Sequence, residues 1–373
     1  MAIFLLILGI VLFVLLVVVH EWGHFIAARR NGVDVEEFGI GFPPKIWARK
    51  VKTDKSKFLF SVNALPLGGF VRLKGENDSD TRPGSFGAAP LGVKVKIMLA
   101  GVTMNLVVAF VAFGLLAAIG MPKIIDDQFT VASDTKIIKE VENKGSVLVS
   151  SVIEGSPADQ AGLQEDDQVI SINATSVSAV SQVADIAEQK AGQSVQIEII
   201  RSGQNQTLTA TLNNENNGQG YLGISSVSGE EGLELRRSTW SAPIVSAGLI
   251  SQFAQQTYKG LGTAIGNLVK GNTAKASEQV TGPVGIFVIL REGSKLGINF
   301  VLMIVALISL ILALINILPI PALDGGRLFV TLAFRASGKT LTKAKEDMIH
   351  GTGFALLMLL FVLITIVDIR RFF

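Results

Sequence analysis

The stretch Val17-Val-Val-His-Glu-Trp-Gly-His24 lies inside an apolar run that extends from about Ile3 to Ala28. As an α-helix this run is long enough to cross a bilayer, and it places His20 and His24 one turn apart on one face. Both imidazoles can then reach one metal ion, and Glu21 projects beside them, where it can take a proton from an activated water. Ionisable residues inside a span favour this functional interpretation. The alternative is that they only cap the cytoplasmic end of the helix.

The composition favours a membrane protein. The 373 residues are 49% hydrophobic, and the mean hydropathy is +0.48. Charged residues make up 17%, below the roughly 25% of ordinary globular domains. The chain has no cysteine, so a metal must be held by histidines and carboxylates. A formal net charge of +2 gives no indication of a nucleic-acid partner.

Four apolar stretches predict a polytopic α-helical membrane protein with about four transmembrane helices. We expect these helices within residues 1–28, 97–121, 296–326 and 351–373. The loop 29–96 carries 13 basic against 7 acidic residues, and the loop 327–350 carries 5 against 2. The segment 122–295 between them carries 13 against 19. The positive-inside rule therefore predicts that both loops are cytoplasmic and that the long segment is extracytoplasmic.

The two long connections each contain a part that we expect to fold. Residues 58–76 alternate or run apolar around Pro66 and Gly68-Gly69, which predicts a cytoplasmic β-hairpin. It either packs on itself or dips to the membrane and offers an edge to an extended substrate. Residues from about 145 to 222 predict one small αβ domain. Residues 223–295 are too polar to span and predict an extracytoplasmic amphipathic linker. It either forms amphipathic helices at the membrane surface or packs against the soluble domain, and the sequence leaves both open.

A hydrolytic zinc site needs a third protein ligand and one open position. Asp324 is the candidate, because it follows the third span in the run Asn316-Ile-Leu-Pro-Ile-Pro-Ala-Leu-Asp-Gly-Gly326. The prolines break the helix, and the glycines allow a sharp turn after the acid. The charge topology places this end of the span on the same membrane side as His24. The alternative is that Asp324 only caps a helix that begins near Gly325.

Two further polar residues lie near span ends or inside spans. Asn105, in Gly101-Val-Thr-Met-Asn105 of the second span, needs a hydrogen-bond partner in hydrocarbon. It could bind the substrate backbone or the reacting carbonyl, or it could join two helices, and the sequence leaves both open. His350 precedes the fourth span, and its position favours an interfacial histidine over a metal ligand.

These residues together resemble the site-2 protease family of intramembrane metalloproteases, and within it the bacterial RseP-like group that carries a PDZ domain. His20-Glu-x-x-His24 and the run from Asn316 to Gly325 match the two zinc motifs of that family. Pro66-Leu-Gly-Gly-Phe-Val-Arg-Leu-Lys-Gly-Glu76 looks like its membrane-reentrant β-hairpin. Residues 149–174 resemble a bacterial PDZ domain.

The resemblance implies roles that spacing alone does not give. His20, His24 and Asp324 would bind Zn²⁺, and Glu21 would be the general base. The PDZ-like domain would admit substrates that another protease has already cleaved. Substrate-binding residues would lie near the zinc, at the end of the third span and in the hairpin: Asn316, Leu67, Gly68, Gly69 and Phe70. Asn105 is a further candidate from its position in the second span alone.

We therefore expect a zinc-dependent endopeptidase of the bacterial cytoplasmic membrane, with its zinc site near the cytoplasmic face and its PDZ-like domain outside. Its partners would be the lipid bilayer and single-span membrane substrates, such as anti-sigma factors or signal-peptide remnants. One alternative is a catalytically silent scaffold that binds protein tails through the PDZ-like domain, which the intact Glu21 disfavours. A transporter or channel is a second alternative, which four spans without internal repeats disfavour.

Overall fold

The computed structural model describes residues 2–53, 56–125, 127–139, 146–177, 180–201, 203–216, 220–229, 234–271 and 281–372. The chain divides into two compact units. One unit comprises Met1–Lys136 together with Arg236–Phe373, and the other comprises Ile137–Leu235.

The helices and strands of the described residues follow one another in this order: α1 (Ala2–Arg30), β1 (Val35–Thr53), β2 (Ser56–Leu73), α2 (Leu91–Ile119), β3 (Met121–Pro122), β4 (Lys136–Lys139), β5 (Ser146–Val152), α3 (Pro157–Gln160), β6 (Gln168–Ile172), β7 (Thr175–Ser176), α4 (Val180–Gln189), β8 (Ser194–Arg201), β9 (Gln204–Thr211), β10 (Ile224–Gly229), β11 (Leu235–Arg237), α5 (Ala242–Val269), α6 (Pro283–Lys295), α7 (Ile298–Asn316), α8 (Asp324–Ala336) and α9 (Lys343–Phe372).

Four helices among the described residues are long and apolar enough to cross a membrane, which agrees with the predicted number. They contain the candidate spans Ile3–Arg30, Leu91–Ile119, Ile298–Asn316 and Lys343–Arg370. The third span lies within the predicted residues 296–326. It ends at Asn316, because Pro319 and Pro321 cannot continue a helix, and a separate helix begins at Asp324.

Residues 223–295 differ from the predicted amphipathic linker. They contain α5, whose 28 residues extend about 42 Å at 1.5 Å per residue. One face of α5 carries Val245, Leu249 and Phe253, which are buried against α2 and α7. The Ser246 hydroxyl donates to the Phe110 carbonyl of α2 at 2.6 Å. The sequence suggested a surface helix because Gly, Ser and Gln lower its hydropathy, but the small residues also allow close packing against other helices.

The hairpin is also larger than the predicted residues 58–76. Its first strand begins at Val35, where the pairing with Leu73 starts, and the pairing of the two strands extends to Thr53 opposite Ser56. Residues 37–40 of β1 pair with residues 59–62 on one side and with residues 69–72 on the other. Both partners belong to β2, so β2 folds back around this part of β1. Gly41 lies at the fold with φ of +78°, and a Cβ there would be 2.6 Å from the Leu65 carbonyl oxygen. Only glycine fits this close approach.

The second unit is a small αβ domain, as residues 145–222 predicted. Its sheet has the order β10-β5-β6-β8-β9, with β7 beside β6. The core is formed by alternating apolar residues of the strands and by the inner face of α4: Val147, Val149, Val169, Ile172, Val183, Ala187, Val195, Ile197 and Ile199. The strand β10 lies beyond the predicted limit of residue 222.

Candidate metal centre

Two histidines of α1 and one aspartate of α8 converge. The Nε2 atoms of His20 and His24 lie 3.3 Å apart, because a spacing of four residues stacks them on one helix face. Oδ2 of Asp324 lies 3.0 Å from Nε2 of His20 and 3.2 Å from Nε2 of His24. The end of α7 and the histidine end of α1 therefore lie together, as the charge topology predicted.

The chemistry of this cluster fits a divalent cation. Apart from the two ring nitrogens, Oδ2 of Asp324 has no hydrogen-bond donor among the described residues, although it is buried. Two imidazole nitrogens and a carboxylate oxygen facing one point suit Zn²⁺, which accepts nitrogen and oxygen ligands at about 2.0–2.2 Å. Burial disfavours the ionised form of Asp324, but the two histidines outweigh it and hold the pKa of this carboxyl below its usual range. The group is therefore a carboxylate, the form that binds metal.

Helix α2 contacts the outer nitrogen of each histidine. Nδ1 of His24 donates to the Ile97 carbonyl at 2.7 Å. Nδ1 of His20 lies 3.2 Å from Nδ2 of Asn105. Asn105 is 0% exposed, and its side chain contacts His20. A substrate-binding role for Asn105 stays a prediction.

Gly101 of α2 makes room for both imidazoles. A Cβ at this position would lie 2.4 Å from Nε2 of His24 and 2.6 Å from Nε2 of His20. Gly23 of α1 makes room for the backbone of α2 in the same way. A Cβ there would lie 2.6 Å from the Ala100 carbonyl oxygen.

We expect Gly101→Ala to lower the zinc content of the purified protein strongly, because the added methyl group would displace both imidazoles. Metal analysis of protein purified in parallel measures this. Gly92→Ala is the matched control, since a Cβ at Gly92 of the same helix meets nothing within 4 Å. Equal zinc content in the two variants would contradict the assigned role of Gly101.

The hairpin meets α1 beside the cluster. The Val71 backbone N–H donates to Oε2 of Glu21 at 3.0 Å. Gly69 lies close by, since a Cβ there would be 3.5 Å from Cγ of Glu21. The edge of β2 therefore lies next to the metal cluster, with the carboxylate of Glu21 between them.

The other predicted substrate-binding residues are placed differently. Gly68 lies against Val17 of α1, whereas the ring of Phe70 covers Gly39 of its own sheet. Asn316 is the last residue of α7, and its binding role stays a prediction. The side chain of Leu67 lies outside the described residues.

His350 has a contact that the sequence did not indicate. Its Nδ1 accepts the Ala322 N–H at 3.1 Å, and Ala322 has the unusual φ of +81°. This contact supports the turn that leads into Asp324. His350, Arg327, Glu346 and Asp324 also line a cavity of about 650 Å³. The position before a span indicated an interfacial histidine, but no local pattern could show which turn it supports.

The family model of peptidase family M50 matches residues 8–360. The chain belongs to this family of site-2 proteases. It is therefore a zinc metalloprotease, and the four apolar helices among its described residues are those of a membrane protein.

Several relatives of this M50 peptidase align over nearly the whole chain. A protein of Clostridium perfringens that carries the name of a zinc metalloprotease is 32% identical, over 97% of this chain and 98% of its own length. The zinc metalloprotease RasP of Geobacillus kaustophilus is 27% identical over 98% of this chain and 97% of its own.

A solved PDZ domain of an SdrC-like protein from Listeria monocytogenes is 24% identical, with a TM-score of 0.20. It covers 22% of this chain and 86% of its own length. A structural similarity of this size does not establish a shared fold. The PDZ identity of the second unit of the M50 peptidase therefore stays a prediction.

Proposed function

We propose that this peptidase cleaves single-span membrane proteins within or beside the bilayer. The observation that carries the proposal is that His20, His24 and Glu21 lie in a helix apolar enough to span the membrane, with the edge of a β-sheet hydrogen-bonded to Glu21. A protease for soluble substrates has no need for a site within a span, where polar groups are costly.

His20, His24 and Asp324 would hold the zinc. When bound, zinc would supply Lewis-acid chemistry towards a carbonyl and a water. Glu21 would take a proton from the attacking water and pass it to the leaving amine. The Val71 N–H holds the Glu21 carboxylate beside the cluster.

A helical substrate must unwind before it can be cut, because its carbonyls are engaged in i to i−4 hydrogen bonds. The freed groups then need new partners in a medium without water. The edge of β2 around Gly69 offers backbone partners to an extended strand. Asn316, the last residue of α7, would offer its side-chain amide to the same extended strand.

The charge distribution supports a bacterial cytoplasmic membrane location, with the zinc site near the cytoplasmic face and the second unit outside. In that unit a groove of about 290 Å³ runs along α4 and the start of β10, lined by Val183, Ala187, Leu222 and Ile224 among others. An apolar groove between a helix and a strand suits a PDZ-like domain that binds the tails of substrates already cleaved by another protease. Anti-sigma factors and signal-peptide remnants are substrates of this kind.

The test reconstitutes the full chain in liposomes with a single-span substrate whose span carries helix-breaking residues. We expect cleavage inside the span or at its cytoplasmic end, loss of cleavage with a chelator, and recovery when zinc is added back. Mass spectrometry of the products locates the cut. Cuts confined to a water-exposed tail, or cleavage that resists the chelator, would contradict the proposal.

A further inference from the structure

Asn105 is a fully buried polar side chain that the mechanism above does not use. It lies in α2, it is 0% exposed, and its Nδ2 is 3.2 Å from Nδ1 of His20. Its Oδ1 has no hydrogen-bond partner among the described residues. A buried amide oxygen without a partner is costly, so its orientation requires an explanation.

The protonation of His20 gives that explanation. When Nε2 of a neutral imidazole faces a metal, its proton lies on Nδ1, which then needs an acceptor. The oxygen and nitrogen of an asparagine amide are nearly interchangeable in shape, and their assignment follows from the hydrogen bonds around them. A half-turn of the Asn105 amide places Oδ1 on the Nδ1–H of His20.

We propose that Asn105 is a positioning residue that fixes His20 for zinc binding by accepting its Nδ1–H. The inference rests on the proposed ligand set. His24 already has the equivalent partner, because its Nδ1 donates to the Ile97 carbonyl. Asn105 lies eight residues further along the same helix, so α2 holds both imidazoles with Nε2 directed towards Asp324.

A purely helix-joining role fits the contacts less well. The Asn105 side chain makes no hydrogen bond to another helix except at His20, among the residues that the structure describes. The link between α2 and α7 uses the Asn105 backbone carbonyl, which accepts the Ser309 hydroxyl at 2.9 Å. This link remains whatever side chain stands at position 105.

The test compares two substitutions of similar shape in the full-length protein. Asn105→Leu removes the acceptor, and Asn105→Asp keeps it. We expect Asn105→Leu to weaken zinc binding about 10–100-fold, the range found for partners of metal-bound histidines, and Asn105→Asp to stay within a few-fold of wild type. Competition with a chelator of known affinity measures the dissociation constant, and thermal unfolding shows whether each variant is folded.

A second measurement reports on His20 directly. The chain has three histidines, so ¹⁵N-histidine NMR of the zinc-loaded protein gives few signals. We expect Nδ1–H forms of both His20 and His24 in wild type, and a changed His20 signal in Asn105→Leu alone. Ser309→Ala is the control, and it should leave zinc affinity and both signals unchanged.

Wild-type zinc affinity in Asn105→Leu would overturn the inference. Equal weakening in Asn105→Leu and Asn105→Asp would also overturn it, because packing and not the acceptor would then matter. A separate variant tests whether His20 binds zinc at all. Unchanged zinc affinity in His20→Ala would remove His20 from the ligand set, whatever the result for Asn105.

Discussion

Replacing Glu21 by glutamine should abolish peptide cleavage while zinc remains bound at the wild-type level. Glutamine has the same length, and its amide oxygen can still accept the Val71 N–H that Glu21 accepts at 3.0 Å. It cannot take a proton from water or return one to the leaving amine. Because general acid–base catalysis contributes typically 10²–10⁴-fold, the cleavage rate should fall by at least about 100-fold.

The measurement combines the initial rate of cleavage of a reconstituted substrate with the zinc content of each sample. Glu76→Gln is the matched control, since Glu76 accepts the Leu73 N–H at 2.7 Å on the same strand but is not part of the metal cluster. It should retain most of the activity. A Glu21→Gln variant that cleaves at more than a tenth of the wild-type rate would exclude Glu21 as the general base.

The metal cluster could be predicted because its signals are local or follow from topology. The i to i+4 spacing places His20 and His24 on one helix face wherever that helix lies. The charges of the loops then put Asp324 on the same membrane side, and the two prolines before it predicted the end of the span. These arguments require no knowledge of which side chains pack together.

The hairpin and α5 were predicted less well, because their structure depends on distant partners. Residues 39–44 contain two glycines and two prolines, which are typical of a turn, yet residues 37–40 pair with two other segments of the chain. The burial of α5 depends on a complementary face formed by α2 and α7, which no window of its own sequence reveals.

The groups that orient the site are partly backbone atoms. The Ile97 carbonyl holds His24, and the Val71 N–H holds Glu21. Every residue carries a carbonyl, and every residue except proline carries an N–H, so the sequence gives no signal for which of them are used. For Asn105 the sequence predicted only that its amide needs a hydrogen-bond partner in hydrocarbon. It did not identify His20 as that partner.

The second large effect is expected for Asp324→Asn, which should lose zinc without losing the fold. Asp324 is the only carboxylate in the cluster, and its Oδ2 lies within 3.2 Å of both histidine nitrogens. Asparagine has the same shape, but its neutral amide oxygen is a weaker ligand than a carboxylate and does not offset the charge of Zn²⁺. Loss of a direct ligand should exceed the 10–100-fold effect of an outer partner, so we expect zinc affinity to fall more than about 100-fold.

The comparison uses Asp347→Asn, because Asp347 lines the same 650 Å³ cavity as Asp324 but is not part of the metal cluster. Both variants are dialysed against a weak chelator before metal analysis. Asp347→Asn should keep wild-type zinc, whereas Asp324→Asn should be nearly free of it and inactive.

The unfolding temperature shows whether the apo variant is still folded, which we expect because α8 is held by packing as well as by this residue. Full zinc occupancy in Asp324→Asn would remove Asp324 from the ligand set, and zinc loss in both variants would point to the charge of the cavity as the cause.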